Sequence, residues 1–382
     1  MLHFSRDEFD ARRDRLMLEM GEQKLDALML FAQESMYWLT GYDTFGFCHF
    51  QCLVVKADGE MQLLTRSADL RQARHTSTLE SISIWRDRGS ADPVIELRDM
   101  LDDMGLLGAR IGVEWATHGL TAANGQMVQE RLGSFATLKE ASNLVPLLRA
   151  VKTPAEIETV REAARLGDEA FDAALPLIRA GANEADILAA LQGEVLRQGG
   201  DYPANPFIVG SGRDALLCRY KSGRRILDDQ DQLTLEWAGV KSQYHAALMK
   251  TVIVGRPSER HVELHTAARE ALDAVEAAMA PGSSFGDVFD AHAAVMEAHE
   301  LVRHRLSACG YSLGARYAPS WMDTPMFYSG NPQPIVPDMT LFAHMIIMDS
   351  DTDTAMTLGR TYLTTTGAPE PLSRLSLDLI SV

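Results

Sequence analysis

Basic residues are in short supply: 36 Lys and Arg stand against 53 Asp and Glu, a formal net charge of −17. A surface of that sign repels nucleic acid and anionic membranes, which argues against both as partners. The chain also lacks an apolar run long enough to cross a bilayer, and its opening Met1-Leu-His-Phe-Ser-Arg-Asp-Glu8 is charged where a secretory signal would be apolar. A cytoplasmic protein is the expectation. Cysteine is scarce as well. Cys48, Cys52, Cys218 and Cys309 have neither metal-ligand nor redox spacing and read as reduced core or near-site thiols. No internal repeat and no low-complexity tract interrupts the chain.

What is present is a globular composition, 46% hydrophobic, in 382 residues. That exceeds the usual size of one core, so two domains are expected. Residues 1–148 alternate helical and strand patterns. An amphipathic helix is predicted near 7–21, then a strand at Ala27-Leu-Met-Leu-Phe31, then a hairpin pairing Cys52–Val55 with Met61–Leu64 across Asp58-Gly59. Helices near 92–104 and 120–132 flank a strand at 110–114, which completes an α/β domain. The boundary falls where Thr153, Pro154 and Glu156 combine a capping box with a proline at the first helical position. Residues 149–382 read as α+β, with helices at 154–180, 184–198 and 259–279 and β-branched strands at 207–209, 232–236, 251–254, 340–342 and 362–366.

Five segments in order carry a resemblance: Tyr37-Trp-Leu-Thr-Gly41, Arg149-Ala-Val-Lys-Thr-Pro-Ala-Glu-Ile157, Ser211-Gly-Arg-Asp-Ala215, Glu236 to Thr251, and Gly310-Tyr-Ser-Leu-Gly-Ala-Arg-Tyr-Ala-Pro-Ser-Trp321. Together the chain resembles the creatinase, prolidase and methionine aminopeptidase superfamily, and within it the metal-independent ectoine hydrolase and creatinase type. The resemblance implies a "pita-bread" catalytic domain behind a smaller N-terminal domain. It also implies five metal-ligand positions, which here hold Glu236, a residue at or next to Ala247, Tyr311, His344 and a residue near Leu358. Two divalent ions need several anionic oxygens to offset their charge, and this set offers one carboxylate. No metal and no cofactor are expected. Asp349, Asp351 and Asp353 read as a polar turn rather than a replacement site.

The resemblance makes Glu236, Tyr244, His245, Tyr311 and His344 the candidate catalytic residues. Glu236 would be a base or nucleophile, and a histidine such as His344 can do acid–base work near neutral pH. Arg219, Arg316 and Arg360 fall at or beside positions that line the cleft in relatives, with Tyr220 next to the first. Guanidinium groups suit a carboxylate-bearing or zwitterionic substrate. Phe47 and His49 lie where creatinase reaches its partner's active site, which implies a homodimer with a shared site. The expected activity is metal-independent hydrolysis of a C–N bond in a small zwitterion. An Xaa-Pro peptidase-like metalloenzyme with altered ligands, or a non-catalytic solute-binding protein, is the alternative.

Overall fold

A computed structural model describes every residue except Ser90 and 220–222. The backbone divides into two units, Met1–Arg149 and Ala150–Val382. The first is built from α1 (Arg6–Glu22), β1 (Ala27–Leu30), α2 (Gln33–Thr40), β2 (Cys52–Lys56), β3 (Met61–Arg66), α3 (Leu70–Thr76), β4 (Ser81–Trp85), α4 (Pro93–Asp103), β5 (Arg110–Val113), α5 (Ala122–Leu132), β6 (Thr137–Glu140) and α6 (Leu144–Ala150). Its mixed sheet runs β4-β3-β2-β1-β5-β6, with the predicted β2–β3 hairpin antiparallel and the outermost pair at each end parallel. Buried side chains cover both faces, as such a sheet requires. The Tyr37 to Gly41 motif belongs to α2, a helix whose own N-cap, Ala32, has no side-chain oxygen. Glu114, just past β5, supplies that function from a distance, accepting from Phe31 N and Ala32 N at 3.0 Å each and from Ser35 Oγ at 2.6 Å.

The second unit opens on α7 (Pro154–Ala174), whose Thr153/Glu156 capping box forms as the sequence predicts. It continues through α8 (Glu184–Arg197), β7 (Ile208–Ser211), β8 (Asp231–Lys241), β9 (Tyr244–Val254), α9 (Glu259–Ala278), α10 (Phe285–Ala298), β10 (Gly310–Ser312), β11 (Asp323–Met326), β12 (Thr340–Asp349) and β13 (Thr354–Leu363). The main path of its sheet, antiparallel throughout, has the order β11-β10-β12-β13-β9-β8-β7, and Ile380–Ser381 adds to β9 in parallel. Its two long hairpins, β8–β9 and β12–β13, are far longer than the predicted runs because their buried alternation includes Ala, Gly and Thr.

Close packing sets where helices meet the sheet. Gly239 lets α7 lie directly on β8, since a Cβ there would collide with the Ala163 carbonyl oxygen. Beside it the Trp237 indole stacks on Phe171 at 5.2 Å and donates to Gly167 O at 2.8 Å. The alternation of β12 then divides two environments. Ala343, Met345 and Ile347 join the cluster under α9 and α10, while Phe342 and Ile346 face the other way.

Candidate active site

Strand register assembles the site. Glu236 pairs with Met249 across β8–β9, Met249 with Gly359 across β9–β13, and Gly359 with His344 across β13–β12. Paired residues of an antiparallel sheet share a face, so Glu236 and His344 look onto the same side from four consecutive strands. Gly359 keeps the middle of the row open. A Cβ there would press on the Ala343 carbonyl and the Phe342 ring. The sequence placed the last position near Leu358; Leu358 itself packs on the opposite face under α9 and α10, so the row position is Gly359.

A cleft of about 310 Å³ opens over this row, lined by Cys218, Arg219, Glu236, Tyr311, His344 and Ile346, with Leu306, Ser307, Ala308, Met322 and Met326 completing the wall. Glu236 is buried, and among the described residues no donor contacts its carboxylate. Burial raises its pKa from 4.5 to about 7, and Arg219 opposes that shift through its charge. His344 is held neutral: burial lowers its pKa to about 3, and neighbouring His292 on α10 pushes the same way. Among the described residues its Nδ1 is enclosed without a hydrogen-bond partner, as is that of His292. Tyr311 accepts from Trp321 Nε1 at 2.9 Å, and burial drives its pKa far up, so it stays a phenol. The Tyr311, Phe342 and His344 rings pack edge to face or tilted, 5.5 to 5.6 Å apart. Cys218 is likewise kept a thiol, by burial first and by Glu236 second.

Four of the expected residues therefore meet: Glu236, His344, Tyr311 and Arg219. Others do not. Tyr244 pairs with Lys241, five residues along β8 from Glu236, and donates to Glu156 Oε1 at 2.5 Å within the α7 capping box. His245 shares the Glu236 face but lies about 13 Å along the strand from Met249. Its Nε2 accepts from Ala204 N at 2.9 Å, and burial lowers its pKa to about 4, the state of a neutral core histidine. Arg316 pairs with Asp323 at 3.4 Å and donates to Ser320 O, away from the cleft lining. Arg360 sits on the face of Ala343, held by Glu276 at 3.1 Å and the Tyr362 hydroxyl at 3.0 Å. In each case another residue claims the side chain: Glu156, Ala204 and Glu276 are distant in sequence, while Asp323 lies seven residues from Arg316. Tyr220 lies outside the described residues. Phe47 and His49 belong to a turn of the first unit, where His49 is exposed. Nothing in the sequence points to His292, Met322 or Met326, because an apolar or lone polar residue acquires meaning only from what it faces.

Residues 158–366 match the model of Metallopeptidase family M24, and residues 12–151 match the Creatinase/Prolidase N-terminal domain. The chain belongs to the M24 family of hydrolases. Among M24 relatives, the ectoine hydrolase of Halomonas elongata is 27% identical over 89% of this chain and 89% of its own length. An Xaa-Pro dipeptidase of Pyrococcus furiosus is 20% identical over 79% of this chain and 82% of its own. The fold matches a crystal structure of prolidase from Thermococcus sibiricus with a TM-score of 0.88, at 16% identity, over 98% of this chain and 99% of that one. The two-domain M24 architecture, with a pita-bread second domain, is thus the fold of this chain.

The metal pair implied by the family name does not fit these residues. Of the five positions, Ala247 and Gly359 offer no donor atom, and the Tyr311 phenol is protonated and already bonded to Trp321. One carboxylate and one neutral imidazole remain, too little negative charge for two divalent ions. Elsewhere, His304, Asp349 and Asp351 come together at the far turn of the β12–β13 hairpin. Arginines already neutralise that group: Arg260 contacts Asp349 at 2.7 Å, and Arg303 contacts Asp351. The aspartate run is a polar, ion-paired turn.

Proposed function

We propose that the chain hydrolyses a C–N bond in a small zwitterionic or carboxylate-bearing compound, without a dinuclear metal centre. The observation that carries this reading is Glu236, buried in the cleft with no hydrogen-bond partner among the described residues and with a pKa raised to about 7. A base poised near the working pH combines a useful ionised fraction with a useful proton affinity. Glu236 takes a proton from water, and the resulting hydroxide forms a bond to the electrophilic carbon. The C–N bond then breaks, and Glu236 returns the proton to the leaving nitrogen.

The other groups support the same chemistry. Tyr311, whose own hydrogen meets no acceptor among the described residues, donates to the oxygen or nitrogen that gains charge. Arg219 at the cleft wall is the cation that receives a substrate carboxylate. His344, neutral under ordinary conditions, offers a polar but uncharged ring beside the reacting centre. The cleft volume restricts the substrate to small molecules. The named activity of the Halomonas relative supports cyclic zwitterions as the first compounds to try.

The test is turnover by the purified, chelator-treated protein of ectoine and related cyclic or linear zwitterions, run beside Xaa-Pro dipeptides. Cleavage of a non-peptide zwitterion supports the reading. Cleavage confined to dipeptides and dependent on added divalent metal contradicts it.

A further inference from the structure

The segment that brings Cys218 and Arg219 to the cleft leaves β7 at Ser211 and returns at Arg225, before β8 begins. Its two ends converge on one buried carboxylate. Glu184, the first residue of α8, is fully enclosed. Its Oε1 accepts from Ser211 N at 2.9 Å and Ser211 Oγ at 2.5 Å, while its Oε2 accepts from Gly223 N at 3.3 Å and Arg224 N at 3.4 Å. A second carboxylate reinforces the junction. Asp231 accepts from Gly212 N at 2.7 Å at one end and faces Arg225 Nη1 at 3.2 Å at the other. Arg225 Nη1 in turn donates to Ser211 Oγ at 2.6 Å. A buried carboxylate is tolerated when donors surround it, and here the donors come from both ends of one segment.

We propose that Glu184 is a positioning residue, which staples the two ends of the 211–225 segment and thereby holds Arg219 at the cleft facing Glu236. Among the described residues, the titratable and charged groups that face Glu236 are Arg219 and Cys218 from this segment, Tyr311 from β10 and His344 from β12. Of these, Arg219 alone is positively charged at neutral pH, since His344 is neutral and the other two are protonated neutral groups. Its position therefore sets how far its charge offsets the burial that raises the Glu236 pKa. The inference builds on the reading of Glu236 as the base. Its test uses no turnover, so that failure of the staple and failure of the assigned reaction are separate outcomes.

Glu184→Gln keeps the shape but turns one oxygen into an amide that meets N–H groups, which frees one end of the segment. The titration of Glu236 is read as the carboxyl infrared absorption that disappears in Glu236→Gln. In full-length Glu184→Gln this midpoint should rise by about half a pH unit or more. Arg219→Ala should give the same rise, and Glu184→Gln added to Arg219→Ala should give no further one. Iodoacetamide labelling of Cys218, in a Cys48→Ser background, should speed up roughly fivefold or more in Glu184→Gln as the segment loosens. An unchanged midpoint, or an equal further rise in the Arg219→Ala background, overturns the proposal. If Glu184→Gln does not fold, hydrogen exchange on the parent decides. Slow, matched exchange at Ser211, Gly223 and Arg224 supports the staple, and rapid exchange at Gly223 and Arg224 beside a protected Ser211 overturns it.

Discussion

The Trp321 indole donates to the Tyr311 hydroxyl at 2.9 Å, which fixes the phenol while leaving its hydrogen for a ligand. Tyr311→Phe should lower kcat by about 10²- to 10³-fold, the usual loss for a preorganised donor to developing charge. The orphaned indole N–H should cost about 1 kcal/mol in stability. Steady-state kinetics and a denaturant melt check the two effects separately, and an unchanged kcat removes Tyr311 from the chemistry.

Stability should depend on pH through the same cleft. A carboxyl with a raised pKa favours the folded state while protonated. The contribution of Glu236 is full below pH 4.5, shrinks as pH rises and is gone above about pH 7. Relative to Glu236→Gln, the parent should lose up to about 3 kcal/mol across that window. His344 works in the opposite sense. Its pKa is lowered from 6.5 to about 3, so its contribution is full above 6.5 and is lost as pH falls, and His344→Gln should flatten the acid limb. Parallel melting curves for parent and variants would contradict both assignments.

Chelation should leave activity and melting temperature unchanged, because Ala247 and Gly359 stand where a metal pair would need donors. Elemental analysis with melting before and after chelator tests this. A loss of activity restored by one divalent ion contradicts it.

We expect a homodimer in which the turn carrying Phe47 and His49 approaches the partner's cleft. Its neighbour Phe45 is 84% exposed, a large apolar side chain set out in water. Sedimentation equilibrium should give twice the chain mass. A stable, active monomer rules the shared site out.

The sequence carried the fold well where local chemistry speaks: the Thr153/Glu156 cap, the Asp58-Gly59 hairpin and the strand containing Glu236 all form. It missed α10 and the full length of β13, whose small and polar residues take their helix or strand character from burial. Of the site, Glu236 and His344 were legible by position along their strands. Tyr244 and Arg360 were not, since the groups that claim them, Glu156 and Glu276, lie on other elements and become neighbours only through tertiary packing; Arg316 was not, since the path of its own loop turns it onto Asp323. Glu184 was invisible for the same reason: its role depends on two backbone ends meeting at one side chain.

The most direct test of the account is steady-state kinetics of Glu236→Gln on whichever zwitterion the parent cleaves. The amide keeps the shape of the cleft but cannot take a proton from water. The account predicts a kcat lower by about 10³-fold or more with KM little changed. Near-parental turnover in Glu236→Gln would contradict it and require another base.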